Sequence, residues 1–545
     1  MIPTSRSEAR SPAAVFLLIG LVLLSTGRSL GNGFAFDDVP IIVENAQVHA
    51  VSPPWVYARQ SYWPPQNLGD AYRPWTIWLF AIQWAIGGGS PMAFHVVNLA
   101  LTVAITLLVC LIARRLLPPI GAIAAAALFA VHPVHVEATG NAVGQAELWM
   151  ATFVLVGVLL YLRSRDGSGS EPGIPGTGTR LALAGLLILA AASKEQGIVL
   201  PVLLVALELV ILRHRSPVVP ARALMPTWLL LGVTAVAFLV ARFLVLGDLG
   251  GGPPAEGLEG LGIAQRSLVM LPVALDWLRL LVWPRDLLAQ YSPPAYGAPP
   301  AWSVAAVAGL LLVTGVAIVA IGAARKAPVV TFAIAWIAIT GALVSNIPVP
   351  TGIIIAERTL FLPSVGVVLL AGAGIAWATG RGGAARWAAL GATAVLLALG
   401  SARSFSRQAV WRDSVTLMRQ TIVDEPRSYR AWRMLGAELT RHRRIEEAVD
   451  AYRRAAELYT GDHRVYEELG QNLRQLERYD EAAAELSRGL AIHPDATLMR
   501  SRLFESLLAA GRWDEAEAVA REGFRRGASE FEASLERLAR RRAGT

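Results

Sequence analysis

Two adjacent carboxylates, Asp37 and Asp38, follow Phe34-Ala35-Phe36 shortly after the first apolar run of the chain. A carboxylate in such a place can take a proton from a hydroxyl, bind a metal or cap a helix. A second cluster reads His132-Pro133-Val134-His135-Val136-Glu137. His-x2-His-x-Glu offers donor types that suit zinc or manganese, which makes a divalent metal one reading of it. The proline disturbs the helix there, so the three side chains need not converge. A third cluster, Ser193-Lys194-Glu195-Gln196, holds one of only two lysines in the protein. Lys194 beside Glu195 reads either as a neutral pair or as a point charge for a phosphate. A fourth, Ala356-Glu357-Arg358-Thr359, brings an arginine able to grip a phosphate through two N–H groups.

The elements that must position these residues are apolar. The chain has 545 residues, 54% hydrophobic and only 17% charged, too apolar for an ordinary soluble protein of that length. Its apolar runs approach the ~20 helical residues that span a bilayer core. We read spans at 13–27, 91–113, 119–138, 146–163, 181–193, 196–212, 224–246, 301–323, 328–345, 359–379 and 386–402. The segment 267–288 is hydrophobic but carries Asp276, Arg279 and Arg285. If it stays outside, the inner loops hold 14 Lys and Arg against eight in the outer segments up to residue 402. Positive residues accumulate inside, so 267–300 is read as interfacial and about 11 spans remain. The N-terminus is then cytoplasmic and the C-terminal domain lies across the membrane. The stretch 74–88 is too short to cross and joins a long first outer loop, 31–90. The single cysteine, Cys110, excludes a structural disulfide and a cysteine-based zinc site.

Residues 403–545 are of another kind, with 26 Lys and Arg against 24 Asp and Glu. That balance offers no basic stripe for nucleic acid. Leu435, Leu469 and Leu503 recur every 34 residues, as do Ile445, Tyr479 and Trp513, and Ala448, Ala482 and Ala516. With Trp432-x2-Leu435-Gly436 and Tyr466-x2-Leu469-Gly470, this is the pattern of tetratricopeptide (TPR) repeats. We expect a lone helix over 411–425, three full repeats and a polar capping helix over 530–542. Such an array presents a groove for a peptide or partner, or serves assembly alone. The whole chain therefore reads as all-α, with a membrane domain, 1–402, followed by a TPR solenoid, 403–545.

In this topology all four clusters fall on the outer side. Ionisable groups at membrane depth are costly and mark function. Cations there can neutralise a departing phosphate while a carboxylate deprotonates an acceptor hydroxyl. The ordered series Phe36-Asp37-Asp38, Glu44-Asn45, Tyr72-Arg73-Pro74, Phe94-His95-x2-Asn98, His132-Pro133-x-His135-x-Glu137, Gly144-x2-Glu147-Leu148, Ser193-Lys194-Glu195 and Glu357-Arg358-x2-Phe361-Leu362-Pro363-Ser364, with a TPR tail, resembles the transmembrane and TPR repeat-containing protein O-mannosyltransferases. The resemblance covers nearly the whole chain. It implies a GT-C type glycosyltransferase that uses a polyprenyl-phosphate sugar, with a protein hydroxyl as acceptor and the TPR groove as its docking surface. It further implies Asp37 or Asp38 as the base, Lys194 and Arg358 on the donor phosphate, and inversion at the sugar. His132, His135, Glu137, Glu195, Glu357 and Arg73 would line the site, with no metal assigned. Where eukaryotic members have Gly-Arg-x-Glu, this chain has Gly144-Gln145-Ala146-Glu147. Its Ala-, Arg- and Gly-heavy composition points to a bacterial member in the cytoplasmic membrane. The competing readings are a flippase for lipid-linked sugars and a TPR scaffold without catalysis. A flippase would favour duplicated halves and midplane polar groups, neither of which the sequence displays.

The charge bias makes a direct prediction. A periplasm-active phosphatase fused after Thr545 should be active, and a reporter that fluoresces only in the cytoplasm should stay dark. Bright fluorescence would overturn the topology.

Overall fold

The computed structural model describes residues 12–64, 71–166, 173–214, 219–249, 254–291 and 301–542. Arg6, Arg10 and Arg215, which contribute to the loop-charge count, and the end of the 267–300 segment lie outside them. Every regular element among the described residues is helical. The chain divides into two compact units whose boundary falls between Asp413 and Ser414.

In the first unit the principal helices are α1 (Pro12–Thr26), α2 (Pro74–Gly87), α3 (Pro91–Leu116), α4 (Pro119–Val131), α5 (Gln145–Ser164), α6 (Thr177–Ser193), α7 (Leu200–Val210), α8 (Ala221–Leu246), α9 (Ile263–Val282), α10 (Val304–Ala323), α11 (Pro328–Ala342), α12 (Phe361–Gly380) and α13 (Gly383–Gln408). Proline opens α2, α3, α4 and α11, where its missing N–H costs nothing and its φ already suits a helix. Seven described helices are long and apolar enough to cross a membrane, or eight if the pair bent by 47° at His132 counts as one span. The other three expected spans are helical but short, with 17, 11 and 15 residues in α6, α7 and α11. Helix α9 is a single 20-residue helix with Pro272 inside it, and it does not meet the length-and-composition test for a span. The chain is a multi-pass membrane protein.

The helices close on one another through small residues. A Cβ on Gly121 of α4 would stand 2.5 Å from the Gly372 carbonyl oxygen of α12, and one on Gly372 would meet Gly121 at the same distance. Such contacts let backbones approach where lipid supplies no hydrophobic drive. Polar side chains add ties inside the bundle. Trp336 Nε1 donates to Leu362 O at 2.8 Å, Ser25 Oγ to Ala130 O at 2.8 Å and Ser404 Oγ to Val131 O at 2.8 Å. Around this core, α8 and α10 expose Val233, Val236, Leu244, Leu311, Ile318 and Ile321. So large an apolar surface requires hydrocarbon rather than water around it.

The second unit begins with α14 (Ser414–Asp424), followed by the pairs α15 (Tyr429–Arg441) with α16 (Ile445–Leu458), α17 (His463–Gln475) with α18 (Tyr479–Ile492), and α19 (Thr497–Ala509) with α20 (Trp513–Arg525). A last helix, α21 (Glu530–Arg542), closes the series. Ala448, Ala482 and Ala516 are all fully buried, as the small positions of the 34-residue period require. Repeats are tied by Thr440 Oγ1 donating to Asn472 Oδ1 at 2.8 Å and by Arg433 Nη1 donating to Glu468 Oε1 at 2.9 Å.

Gly470 sits where a Cβ would come within 2.5 Å of Leu486 Cγ across the α17–α18 pair. Gly470→Val should therefore overpack the pair and destabilise the array by about 1–3 kcal/mol. A urea unfolding curve of the full chain checks it, and an unmoved TPR transition would show that the pair has slack.

Candidate functional site

The site is built on residues 32–45, which carry the carboxylate pair. Asn32 Nδ2 donates to Gly140 O at 3.2 Å and to Gln408 O at 3.1 Å, and the Gly33 N–H to Arg412 O at 2.9 Å. At Phe36 the backbone turns left-handed, with φ +58°. That conformation is costly for a residue with a Cβ and persists only where its surroundings impose it. Immediately after it the two carboxylates part company. Asp38 is fully buried and accepts three backbone N–H groups, from Ala35 at 3.0 Å, Ala142 at 3.2 Å and Val143 at 2.8 Å. Its side chain does not cap the helical turn Val39–Val43 that it precedes; it ties the loop to residues 142–143. Burial pushes its carboxyl up to about 7, against the three N–H donors that favour the ion. Asp37 keeps 20% of its side chain exposed, and its Oδ2 lies 3.8 Å from Arg358 Nη2.

Arg358 is held from behind by Glu137. Glu137 Oε2 accepts the Arg358 backbone N–H at 2.8 Å, and its Oε1 pairs with Nη1 of the same residue. Glu137 is 1% exposed and the Arg358 side chain 24% exposed, so the pair presents its cationic end. Lys194 forms its ion pair with Glu147, the two side chains being 9% and 2% exposed. Glu195 is the partner of two arginines instead, Arg73 Nε at 3.0 Å and Arg242 Nη1 at 3.2 Å, and it also accepts the Tyr72 N–H at 3.0 Å. Burial works to raise the Glu195 carboxyl, but Arg73 and Arg242 outweigh it and hold it below the usual carboxylate range. Burial likewise lowers the Lys194 ammonium, opposed by Glu147 and reinforced by Arg73 and Arg358. Lys194 and Glu195, neighbours in sequence, thus do not pair with each other.

The remaining expected residues are engaged by neighbouring protein groups. Glu357 is 1% exposed and accepts the Leu288 N–H. His132 Nε2 donates to Leu281 O at 2.9 Å while its Nδ1 accepts the Val134 N–H at 3.2 Å, so both ring nitrogens are engaged. Ser364 Oγ lies 2.6 Å from Phe361 O and 2.8 Å from His135 Nε2. With Glu137 committed to Arg358, the His-x2-His-x-Glu series is not drawn together as a ligand set. Among the described residues no group of three His, Cys, Asp or Glu could hold a metal ion. Gln145, which stands at the family's arginine position, pairs its amide reciprocally with Gln83 at 2.7 and 2.9 Å and brings no charge. Sequence reasoning left Glu147 without a role and missed Arg242. The signal for Arg242 was present, since a lone cation inside the apolar run 224–246 needs a partner.

The tetratricopeptide part of the chain matches known family models. Residues 399–463 and 441–497 match one tetratricopeptide repeat family model, and residues 473–533 match another. A protein O-mannosyl-transferase of Caenorhabditis elegans is 28% identical over 68% of this chain and 52% of its own length. Protein O-mannosyl-transferase TMTC4 of Homo sapiens is 29% identical over 67% of this chain and 56% of its own length. A Drosophila melanogaster protein O-mannosyl-transferase reaches 39% identity, over 30% of this chain and 18% of its own. The chain spans about half the length of the first two relatives. Among solved structures, the Archaeoglobus fulgidus oligosaccharyltransferase in its apo form aligns with 78% of this chain and 60% of its own, with 12% identity and a TM-score of 0.43.

The two carboxylates should respond differently to the same change. An amide at position 38 offers one acceptor oxygen where the carboxylate serves three N–H groups with two, and leaves buried donors unmet. Asp38→Asn should cost about 1–3 kcal/mol of stability, whereas Asp37→Asn should leave it nearly unchanged. Thermal unfolding of both purified variants checks this, and equal losses would contradict the division of labour.

Proposed function

We propose, for a chain similar to protein O-mannosyl-transferases, an integral-membrane glycosyltransferase of GT-C type. It moves a hexose, mannose by the relatives' names, from a polyprenyl-phosphate carrier to a protein hydroxyl. The observation that carries this reading is the pairing of Asp37 Oδ2 with Arg358 Nη2 at 3.8 Å, both part-exposed. That arrangement sets a proton acceptor beside an anion-binding guanidinium. The acceptor's oxygen attacks the anomeric carbon and its proton passes to the Asp37 carboxylate. The bond from that carbon to the phosphate oxygen breaks, and the electron pair leaves with the polyprenyl phosphate. Attack from the face opposite the phosphate inverts the configuration.

Arg358 and Arg73 meet the phosphate, since their side chains keep 24% and 21% of their surface exposed. Lys194, also expected on the phosphate, is buried in its ion pair with Glu147. Asp38, fully buried with both oxygens occupied, positions the loop. The chain sits in a bacterial cytoplasmic membrane with its site and TPR array on the outer side, where the array binds the acceptor protein.

Asp37→Asn should lower kcat by about 10²–10⁴-fold with little change in donor affinity. Removing Arg358 or Lys194 outright would strand a buried carboxylate, at about 3–5 kcal/mol. Arg73→Gln is the cleaner change, because Glu195 keeps Arg242. It should weaken donor binding by roughly 10- to 100-fold, the value of one charge-assisted hydrogen bond. A turnover assay with polyprenyl-phosphate mannose and an acceptor peptide decides both. Full activity of Asp37→Asn would remove the base and the mechanism with it.

A further inference from the structure

Tyr62 lies in the loop between the carboxylates and α2, and the mechanism above does not use it. Its backbone N–H is fixed to Ala71 O at 2.8 Å. Its side chain is 2% exposed and belongs to one buried cluster with Ile41, Ile42 and Ala142, residues beside Asp38 and its N–H donors. The Arg73 guanidinium carbon lies 4.8 Å from the centre of its ring, and Trp63 meets the ring edge-on at 6.2 Å. The ring is thus clamped between the cation of one site element and the loop of the other. The two neighbouring tyrosines of this region each donate their hydroxyl to a backbone carbonyl, Tyr57 to Ala50 O at 2.9 Å and Tyr72 to Ala58 O at 2.9 Å. The Tyr62 hydroxyl donates to none of the described residues. The charged groups that act on its phenol are Arg73, Asp37, Asp38 and Arg358. Burial pushes the phenol well above its usual value, so it remains a donor at any physiological pH.

A buried phenol in a fixed rotamer ordinarily has a partner for its O–H, because leaving the group unmet is costly. Among the described residues the hydroxyl has no hydrogen-bond acceptor, while the Arg73 guanidinium lies over its ring. We propose that Tyr62 is a further donor-binding residue, whose O–H donates to a non-bridging phosphate oxygen of the lipid-linked sugar between Arg73 and Arg358. The assignment rests on the glycosyl-transfer reading of the site. The phosphate goes from one negative charge to two as the sugar leaves, so the bond strengthens towards the transition state. Tyr62 therefore serves departure of the leaving group as well as binding.

Tyr62→Phe keeps the ring, its packing and the Arg73 contact, and removes only the hydroxyl. Binding of sugar-free polyprenyl phosphate to the full chain should weaken about 10- to 100-fold in this variant, with unfolding temperature unchanged. In the transfer assay kcat/KM should fall by at least the same factor. Unphosphorylated polyprenol should bind parent and variant alike. Equal affinity of parent and variant for polyprenyl phosphate overturns the assignment and leaves the proposed function standing. Loss confined to the sugar-bearing donor also overturns it, since the hydroxyl then meets the sugar. Inorganic phosphate competing as well as the lipid phosphate would overturn the lipid source of the ligand. If the parent itself binds no polyprenyl phosphate, the glycosyl-transfer reading falls and this assignment with it.

Discussion

The structure of this site depends on one constraint, that a carboxylate removed from water must be met by cations or N–H donors. Five acidic side chains obey it here. Asp38 gathers three backbone N–H groups from two separate segments, and Glu137 takes both the backbone and the guanidinium of Arg358. Glu147 takes Lys194, Glu195 takes Arg73 and Arg242, and Glu357 takes the Leu288 N–H. All of these bonds except the one from the Ala35 N–H join stretches distant in sequence. The long first loop, the turn after α4, the start of α5, the break between α6 and α7, the end of α8 and the start of α12 converge because their charges require one another. Unpaired, each buried charge would cost several kcal/mol.

The same accounting sorts residues that share a chemistry into different tasks. Asp37 and Asp38 are adjacent, yet the left-handed turn at Phe36 aims one at solvent and Arg358 and the other into the protein. Lys194 and Arg358 look equivalent as cations at the ends of apolar runs. One is sealed against Glu147 while the other keeps a quarter of its side chain open. On the glycosyl-transfer reading proposed above, a donor phosphate meets the part-exposed Arg73 and Arg358 rather than the sealed ammonium. Guanidinium also suits the task better, since its planar fork matches two phosphate oxygens at once.

The bundle around the site uses few polar groups and many small ones. Close approach at Gly121 and Gly372 and hydroxyl-to-carbonyl bonds from Ser25 and Ser404 lock helices whose outer faces are left to lipid. The last helix, α13, does more than span. Its end, with Gln408 and the following turn to Arg412, accepts from Asn32 and Gly33. The segment that leads into the TPR array therefore also anchors the loop that carries Asp37.

Features that recur along the chain are legible in the order of residues alone. A 34-residue period specifies helix pairs because only that spacing returns the same small and large residues to one interface, so the repeats and the capping helix 530–542 were legible to within a few residues. Apolar runs specified the helices of the membrane part, and loop charge singled out α9 as unlike the others. Pairing, by contrast, is settled by the packing of the helices. Lys194 goes to Glu147 rather than to its neighbour Glu195, and Arg242 joins Glu195 from a helix beginning at residue 221. His132 and His135 turn to a carbonyl and a hydroxyl instead of a metal set. Tyr62 carries no motif at all. Local patterns record how a segment folds, whereas the partner of a buried charge is whichever opposite charge the packing of helices brings within reach, and that depends on every helix at once.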